Sequence, residues 1–438
     1  MMRISMPIDY GSFANATSLN LVARKLFFEL ATEMNNKKTF TIAATLLNDS
    51  AIGDVNQHYD CVDVPNMGGY RFPLDSVLNS KNLLVGIVGI DEVVLGREVY
   101  KTESDWIRNK PVISEEVKKW HQHVDKIKTI HVSNNSEKEQ LEKFLNVPEE
   151  KLHVIPYGVD HEIFKPSSSK EITRKKILEK FLINESPYLI HISESNWARK
   201  NVFRLFEAFK KAKSLGLKHK LLIIGKNDPI VYEKAKHIHD IHMLGFVSES
   251  DLVNLIQGSD ALINPSIHEG FGLPMLETMA CGVSVITSNV FSPPEIVSNG
   301  GLFVNPYDVN DICKKIMEIA TDQSLQSDLG KNGLKHSQDF SWKLTAKKLL
   351  DLMEKTTDKV DYDFNDSYDK AAKRTIVTLC QTNPHLKNII HDLFKLDFSS
   401  FIDWIEENGY DNPEIHDYIL PFDRWLKENK NSNLFRIN

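Results

Sequence analysis

Two carboxylates, Glu269 and Glu277, lie eight positions apart in the run Glu-Gly-Phe-Gly-Leu-Pro-Met-Leu-Glu. Between them, Gly270 and Gly272 carry no side chain, so their amides can come close to a ligand. Pro274 suits the opening of a helix, where its fixed φ is tolerated and its missing N–H costs nothing. The unpaired N–H groups and positive dipole end of such a helix favour an anion, a phosphate above all. Glu269 falls in the loop facing the expected pocket. Glu277 falls in the expected first helical turn, where it could accept hydrogen bonds from sugar hydroxyls. A plainer reading makes Glu277 a dipole-complementing acid and Glu269 a solvated loop acid. Spacing alone leaves both readings open.

A second group is cationic. Arg199 and Lys200 follow the end of an expected strand at His191, Ile192 and Ser193 and precede a helical pattern. Arg, Lys and helix N-termini can stabilise negative charge, such as that of a phosphate. Two solvated cations closing a loop would leave the same trace. Lys226, just after the apolar run 221–225, is a further phosphate or ribose candidate.

These residues need a frame. Residues 261–263 form a short buried strand, 266–273 a polar, Gly-bearing loop and 275–281 a short helix. Gly282 supplies a left-handed stop, and 283–287 form a second buried strand. Such a unit places a flexible loop at the carboxyl edge of a parallel sheet, where open α/β sheets bind ligands.

The rest of the chain repeats the alternation. In the first half, strands are expected at 3–6, 40–44, 61–64, 83–90, 129–133 and 151–156. Helices are expected at 19–34, 115–127 and 137–145, the last capped by residues 134–136. A Lys-rich connection spans 165–186, with a helix at 172–181. The second half carries strands at 188–193, 220–225 and 241–246, and helices at 202–215, 230–238, 248–257 and 308–321. A polar stretch then leads to Phe340-Ser341-Trp342. Alternating strands and helices imply two parallel, Rossmann-like sheets.

With 438 residues the chain exceeds one ordinary core, and its net charge of −7 argues against general nucleic-acid binding. Four cysteines without metal-like spacing fit reduced thiols and a cytoplasmic location. No apolar run approaches the ~18 residues needed to cross a bilayer. The first residues lack the apolar core of a signal peptide, so any membrane contact is expected to be peripheral.

The run Glu269 to Glu277, followed by Thr-Met-Ala-Cys-Gly-Val-Ser-Val-Ile-Thr-Ser, Pro294-Glu295 and Asn305-Pro306-Tyr307-Asp308, resembles the signature of the family-4 retaining glycosyltransferases of GT-B fold. The dense match covers roughly fifty residues, and a looser one covers about 330 to 350. The resemblance implies an acceptor domain (1–166), a nucleotide-sugar domain (167–343), a helix crossing back at 344–356, and a helical extension (357–438) outside the likeness. That extension is either packed on the domains or an acceptor-recognition or oligomerisation module.

The resemblance implies further roles. Glu277 would hold the ribose and Glu269 the hydroxyls of the donor sugar. Amides of Gly270, Phe271, Gly272 and Leu273, with Lys200 and Arg199, would cradle sugar and diphosphate. Gly245-Phe246-Val247 resembles a segment contacting the base through its backbone. Gly11, in Tyr10-Gly11-Ser12, stands where relatives place a Gly-rich loop. There are two departures. The family's arginine six residues before Lys200 is Glu194 here, with Arg199 a substitute. The histidine ending an N-domain strand is absent, with Asp91 or Glu92 in its place; His131 and His268 are alternatives. The implied reaction moves a hexose from a nucleotide-diphosphate sugar, GDP-mannose first and UDP-glucose second, to an acceptor hydroxyl. The acceptor would be a saccharide, a lipid-linked group or a small molecule, and no metal or resident cofactor is expected. The rivals are a non-catalytic nucleotide-sugar-binding protein and a GT-B phosphorylase or synthase acting on a small sugar phosphate.

Overall fold

The computed structural model describes residues 2–8, 22, 25, 26, 29, 30, 40–46, 61–68, 71–73, 75–78, 80, 82–193 and 196–357. Gly11, Glu194 and residues 358–438 lie outside them. The first half is a six-stranded parallel sheet in the order β2-β1-β3-β4-β5-β6. Its strands are β1 (Met2–Ile8), β2 (Phe40–Leu46), β3 (Cys61–Gly68), β4 (Leu83–Val88), β5 (Thr129–Val132) and β6 (Leu152–Val154). The second half repeats the plan in the order β12-β11-β10-β7-β8-β9. Here the strands are β7 (Tyr188–Ser193), β8 (Lys220–Gly225), β9 (Ile241–Gly245), β10 (Ala261–Asn264), β11 (Ser284–Ser288) and β12 (Gly301–Val304). Continuous apolar runs such as Leu-Leu-Val-Gly-Ile-Val in β4 are buried because helices cover both faces of a parallel sheet.

The connection is not a slack linker. Helix Lys170–Lys180 is capped by Ser169, and Arg174 donates to the Gly258 carbonyl at 2.8 Å and to Asp260 at 2.6 Å. After the second sheet the chain returns. Helix Trp342–Thr356 packs Ala346, Leu349, Leu350 and Met353 against Leu26, Leu30, Leu84 and Ile155 of the first half. Val159 pairs with Ser341 where the two crossings meet. A side chain on Gly158 would collide there with the backbone of Ser341 and Trp342, so the crossings approach more closely than any other residue allows.

Four expectations need correction. The helix foreseen at 115–127 is Glu103–His123, begun by the Thr102 cap and continuing through Pro111. The supposed polar stretch after 321 contains helix Gln323–Ser337. Its low apolar content hid it, because Gly330 and Gly333 make its contacts by lying flat against the Gly282 carbonyl and Met279. The helix after the signature loop is Leu273–Ala280, so Pro274 is its second residue rather than its first. Glu277 therefore lies beyond the first turn, where the dipole argument no longer reaches it.

Candidate functional site

The carboxyl edge of β10 builds the site. Asn264 ends the strand, and its carbonyl is held by Thr287 of β11 at 2.9 Å. The chain then turns through Pro265 to Gly272. Ile267 N–H donates to the Arg199 carbonyl at 2.9 Å, which ties this turn to the turn after β7. Asn201, in the left-handed region at φ 59°, donates to the Pro265 carbonyl at 2.9 Å and the Pro306 carbonyl at 2.6 Å. Buried Ser292 braces the loop from the far side through the carbonyls of Glu269 and Phe271.

This bracing drives Glu269 inward. Its Oε1 accepts from Lys200 Nζ at 2.7 Å, Ser266 Oγ at 2.6 Å and Asn264 Nδ2 at 3.1 Å. Its Oε2 accepts from an Arg199 guanidinium nitrogen at 3.2 Å. Burial alone would raise the Glu269 pKa. Lys200 and Arg199, with the Lys200 and Ser266 hydrogen bonds, overcome that and hold it far below the usual carboxylate range. The solvated-acid reading of Glu269 is thereby excluded. Lys200 is buried as well, so the solvated-cation reading fails for it too.

Around this ion cluster the backbone offers donors. Among the described residues, no acceptor takes the N–H of Gly270, Phe271, Gly272 or Leu273. Gly272, at φ 98°, precedes the helix in a conformation that suits glycine. The side chains of Phe271 and Leu273 point away into the core, Phe271 packing 5.1 Å from the Tyr157 ring. Those two residues therefore offer only backbone to a ligand. Glu277 is partly buried and receives no hydrogen bond from a described residue. Burial pushes its carboxyl up to about 7; Glu249 adds to the rise and Lys25 opposes it.

Residues 173–336 match the family described as glycosyl transferases group 1. These residues form a glycosyl transferases group 1 domain. The chain is 28 % identical over 232 residues to the O-antigen chain mannosyltransferase B of Escherichia coli, covering 51 % of this chain and 60 % of that protein. It thus spans less than two thirds of that relative's length. It is 26 % identical over 348 residues to the MMP alpha-(1->4)-mannosyltransferase of Mycolicibacterium hassiacum, covering 74 % of this chain and 76 % of the other. The solved structure of a sucrose-phosphate synthase from Thermosynechococcus elongatus superposes with a TM-score of 0.60 at 16 % identity, over 81 % of this chain and 99 % of that one. The two-sheet architecture is therefore the GT-B fold implied by the resemblance.

The remaining residues of this glycosyltransferase domain and its facing half fall into two groups. Asp91 joins the cluster from the other half, its Oδ2 lying 3.6 Å from Arg199 Nε. Beside it, burial pushes the Glu92 carboxyl up to about 7; Asp91 adds to the rise, and Arg199 and Arg71 oppose it. His268 is buried with Nε2 2.8 Å from Gln140 Oε1, and its ring lies 4.5 Å from that of Phe291. Burial lowers its pKa to about 4, so it is a neutral contact between the halves at neutral pH. Lys226 and Phe246 stand apart from the cluster's hydrogen bonds; Lys226 is exposed and Phe246 is 76 % exposed. His131 is a core residue, reaching past Gly86 to lie 3.0 Å from Asp63.

Four features escaped the sequence reading: the supporting roles of Asn264, Ser266 and Ser292, and the docking of residues 134–140 onto the signature loop. Asn134 is the helix cap foreseen, accepting from Glu137 N–H at 2.9 Å, yet its amide also donates to the Gly270 carbonyl. A cap residue with a spare donor beside a second Asn was the signal available.

Proposed function

We propose that this protein is a retaining glycosyltransferase that moves a hexose, mannose first and glucose second, from a nucleotide-diphosphate sugar to an acceptor hydroxyl. One observation carries the reading. Four amides, Gly270 to Leu273, that no described residue accepts from lie beside two cations now paired with Glu269 and, at Arg199, with Asp91 as well. An incoming diphosphate competes for Lys200 and Arg199 and takes the amides. Glu269, relieved of part of its ion pairing, accepts from the sugar hydroxyls. Glu277, with no described donor, takes the ribose. As the bond from the anomeric carbon to the phosphate oxygen breaks, charge grows on a diphosphate already surrounded by donors. The acceptor oxygen bonds to the same face of that carbon, and its proton passes to the departing phosphate oxygen. This scheme uses no metal or resident cofactor.

The two mannosyltransferase relatives support mannose as the sugar, and we take GDP-mannose as its donor, with UDP-glucose second. The acceptor is read as a saccharide, a lipid-linked group or a small molecule. No helix among the described residues is long and apolar enough to cross a membrane. We place the enzyme in the cytoplasm, with at most peripheral membrane contact.

The test incubates the protein with a panel of nucleotide sugars and follows nucleotide release. GDP-mannose should be consumed fastest, and Lys200→Ala should slow release by about 10²–10³-fold, the usual cost of one lost transition-state donor. Tight binding of one donor without release would replace the enzyme by a non-catalytic binding protein. Unchanged release in both Lys200→Ala and Glu269→Ala would remove the site assignment.

A further inference from the structure

Glu137 is a buried carboxyl group, 1 % exposed, with no cation in hydrogen-bonding contact among the described residues. It occupies the third position of helix Asn135–Leu145, where a capping-box glutamate would reach back to the N–H of the cap residue. It does otherwise. Oε1 accepts from Gly89 N–H at 2.7 Å, and Oε2 accepts from Ser133 N–H at 3.0 Å and Ser133 Oγ at 2.6 Å. Asn134 already caps the helix, so the cap does not require this arrangement. Burial pushes the Glu137 carboxyl up to about 7, against the pull of the Ser133 and Gly89 donors and with a further rise from Glu295. Burying such a group is costly unless its hydrogen bonds are complete.

What Glu137 joins are the two stretches of the first half that meet the signature loop. Gly89, left-handed at φ 68°, lies against Gly270. A side chain on Gly270 would sit 3.0 Å from Glu137 Oε1, 3.2 Å from Val88 and 3.3 Å from Gly89 N. Two residues on, Asp91 approaches Arg199. From the other stretch, Asn134 donates to the Gly270 carbonyl, and Asn135 donates to Glu295 from backbone and side chain, both at 2.9 Å.

We propose that Glu137 is a positioning residue for transfer: it locks the Gly89 turn and the 133–135 segment into the one arrangement that seats the first half on the Gly270 loop. The cations and carboxylates assigned above to the donor, Lys200, Arg199, Glu269 and Glu277, lie in the second half, and the first three keep their own hydrogen bonds without it. The kinetic part rests on the glycosyltransferase reading; the structural part does not.

Two measurements test it on the full chain. In Glu137→Ala, the hydrogen-bonded amides that flank the loop, Ile267 (to the Arg199 carbonyl) and Met275 (to the Gly272 carbonyl), should exchange with deuterium at least about tenfold faster than in the unchanged protein, although no residue of that half is altered. Faster exchange confined to residues 83–145 would overturn the proposal. With GDP-mannose, kcat should fall about tenfold while KM and the affinity for GDP stay within about twofold, and Glu137→Gln should recover part of the loss. Equal losses in kcat and GDP affinity, or no loss in a folded variant, would overturn it. If Glu137→Ala does not fold, Ser133→Ala removes one of the three bonds and should show the same pattern at a few-fold; a Ser133→Ala protein unchanged in both measurements would overturn it.

Discussion

Where the first half meets the Gly270 loop, the two walls of that contact handle buried charge in opposite ways. On the Glu269 wall a carboxylate is buried with Lys200 and Arg199 and stays ionised. On the facing wall, half-buried Glu92 and buried Glu137 have too little positive charge nearby to offset desolvation, and both are pushed up to about 7. Desolvation is common to the three; counter-charge within reach decides the direction. The difference implies a division of labour. The second half carries fixed charge suited to a diphosphate, whereas the first half contributes mainly shape, closing on that charge through donors from Asn134 and Asn135, the Gln140 oxygen facing His268, and one acid, Asp91, beside Arg199.

The contrast can be broken hardest at its charged pole. Glu269→Ala leaves buried Lys200 without its partner, and removing one member of a buried pair costs about 3–5 kcal/mol. A large fall in the thermal midpoint of the donor-free protein should accompany loss of turnover. A midpoint within a degree of the unchanged protein would mean that the cluster is not the tightly paired one described here. The next largest effect is expected at Glu277, a second-half acid with no cation in contact among the described residues. Glu277→Gln should raise the KM for GDP-mannose about tenfold, the order of one hydrogen bond to a charged acceptor.

That substitution also sharpens the pH side of the comparison. The folded, donor-free protein keeps a proton on Glu277 up to about 7, whereas the unfolded chain releases it near the ordinary 4.5. The resulting stabilisation is complete below 4.5 and is lost as pH rises through about 7. Glu277→Gln should flatten that part of the stability curve measured in urea; an unaltered slope would show that Glu277 is not the group responsible. The smallest effect belongs to the exposed latch. Asn135→Ala removes one of two donors to Glu295 and should lower turnover only a few-fold, since exposed polar contacts contribute about 1 kcal/mol or less. A loss approaching that of Lys200→Ala would reverse the proposed division between the walls.

Much of this was legible without coordinates. Apolar runs at 83–90, 188–193 and 261–263 announced buried parallel strands, and the cap expected at residues 134–136 fell where a helix begins. Helix Gln323–Ser337 was not legible, because glycines packed face to face leave no apolar stripe to read. Nor was the first turn of Leu273–Ala280, where left-handed Gly272 starts the helix before the proline.

What the sequence determined by itself was local: alternating elements, an amide-rich turn between two acids, and a pair of cations after a strand. Each follows from the preferences of a few neighbouring residues. Only the tertiary structure decided that Glu269 is ionised between Lys200 and Arg199, that Phe271 faces the core, and that Glu137 serves a loop 48 residues away. Those outcomes depend on burial and on which charges the fold brings within a few ångströms, and neither quantity exists until distant segments meet.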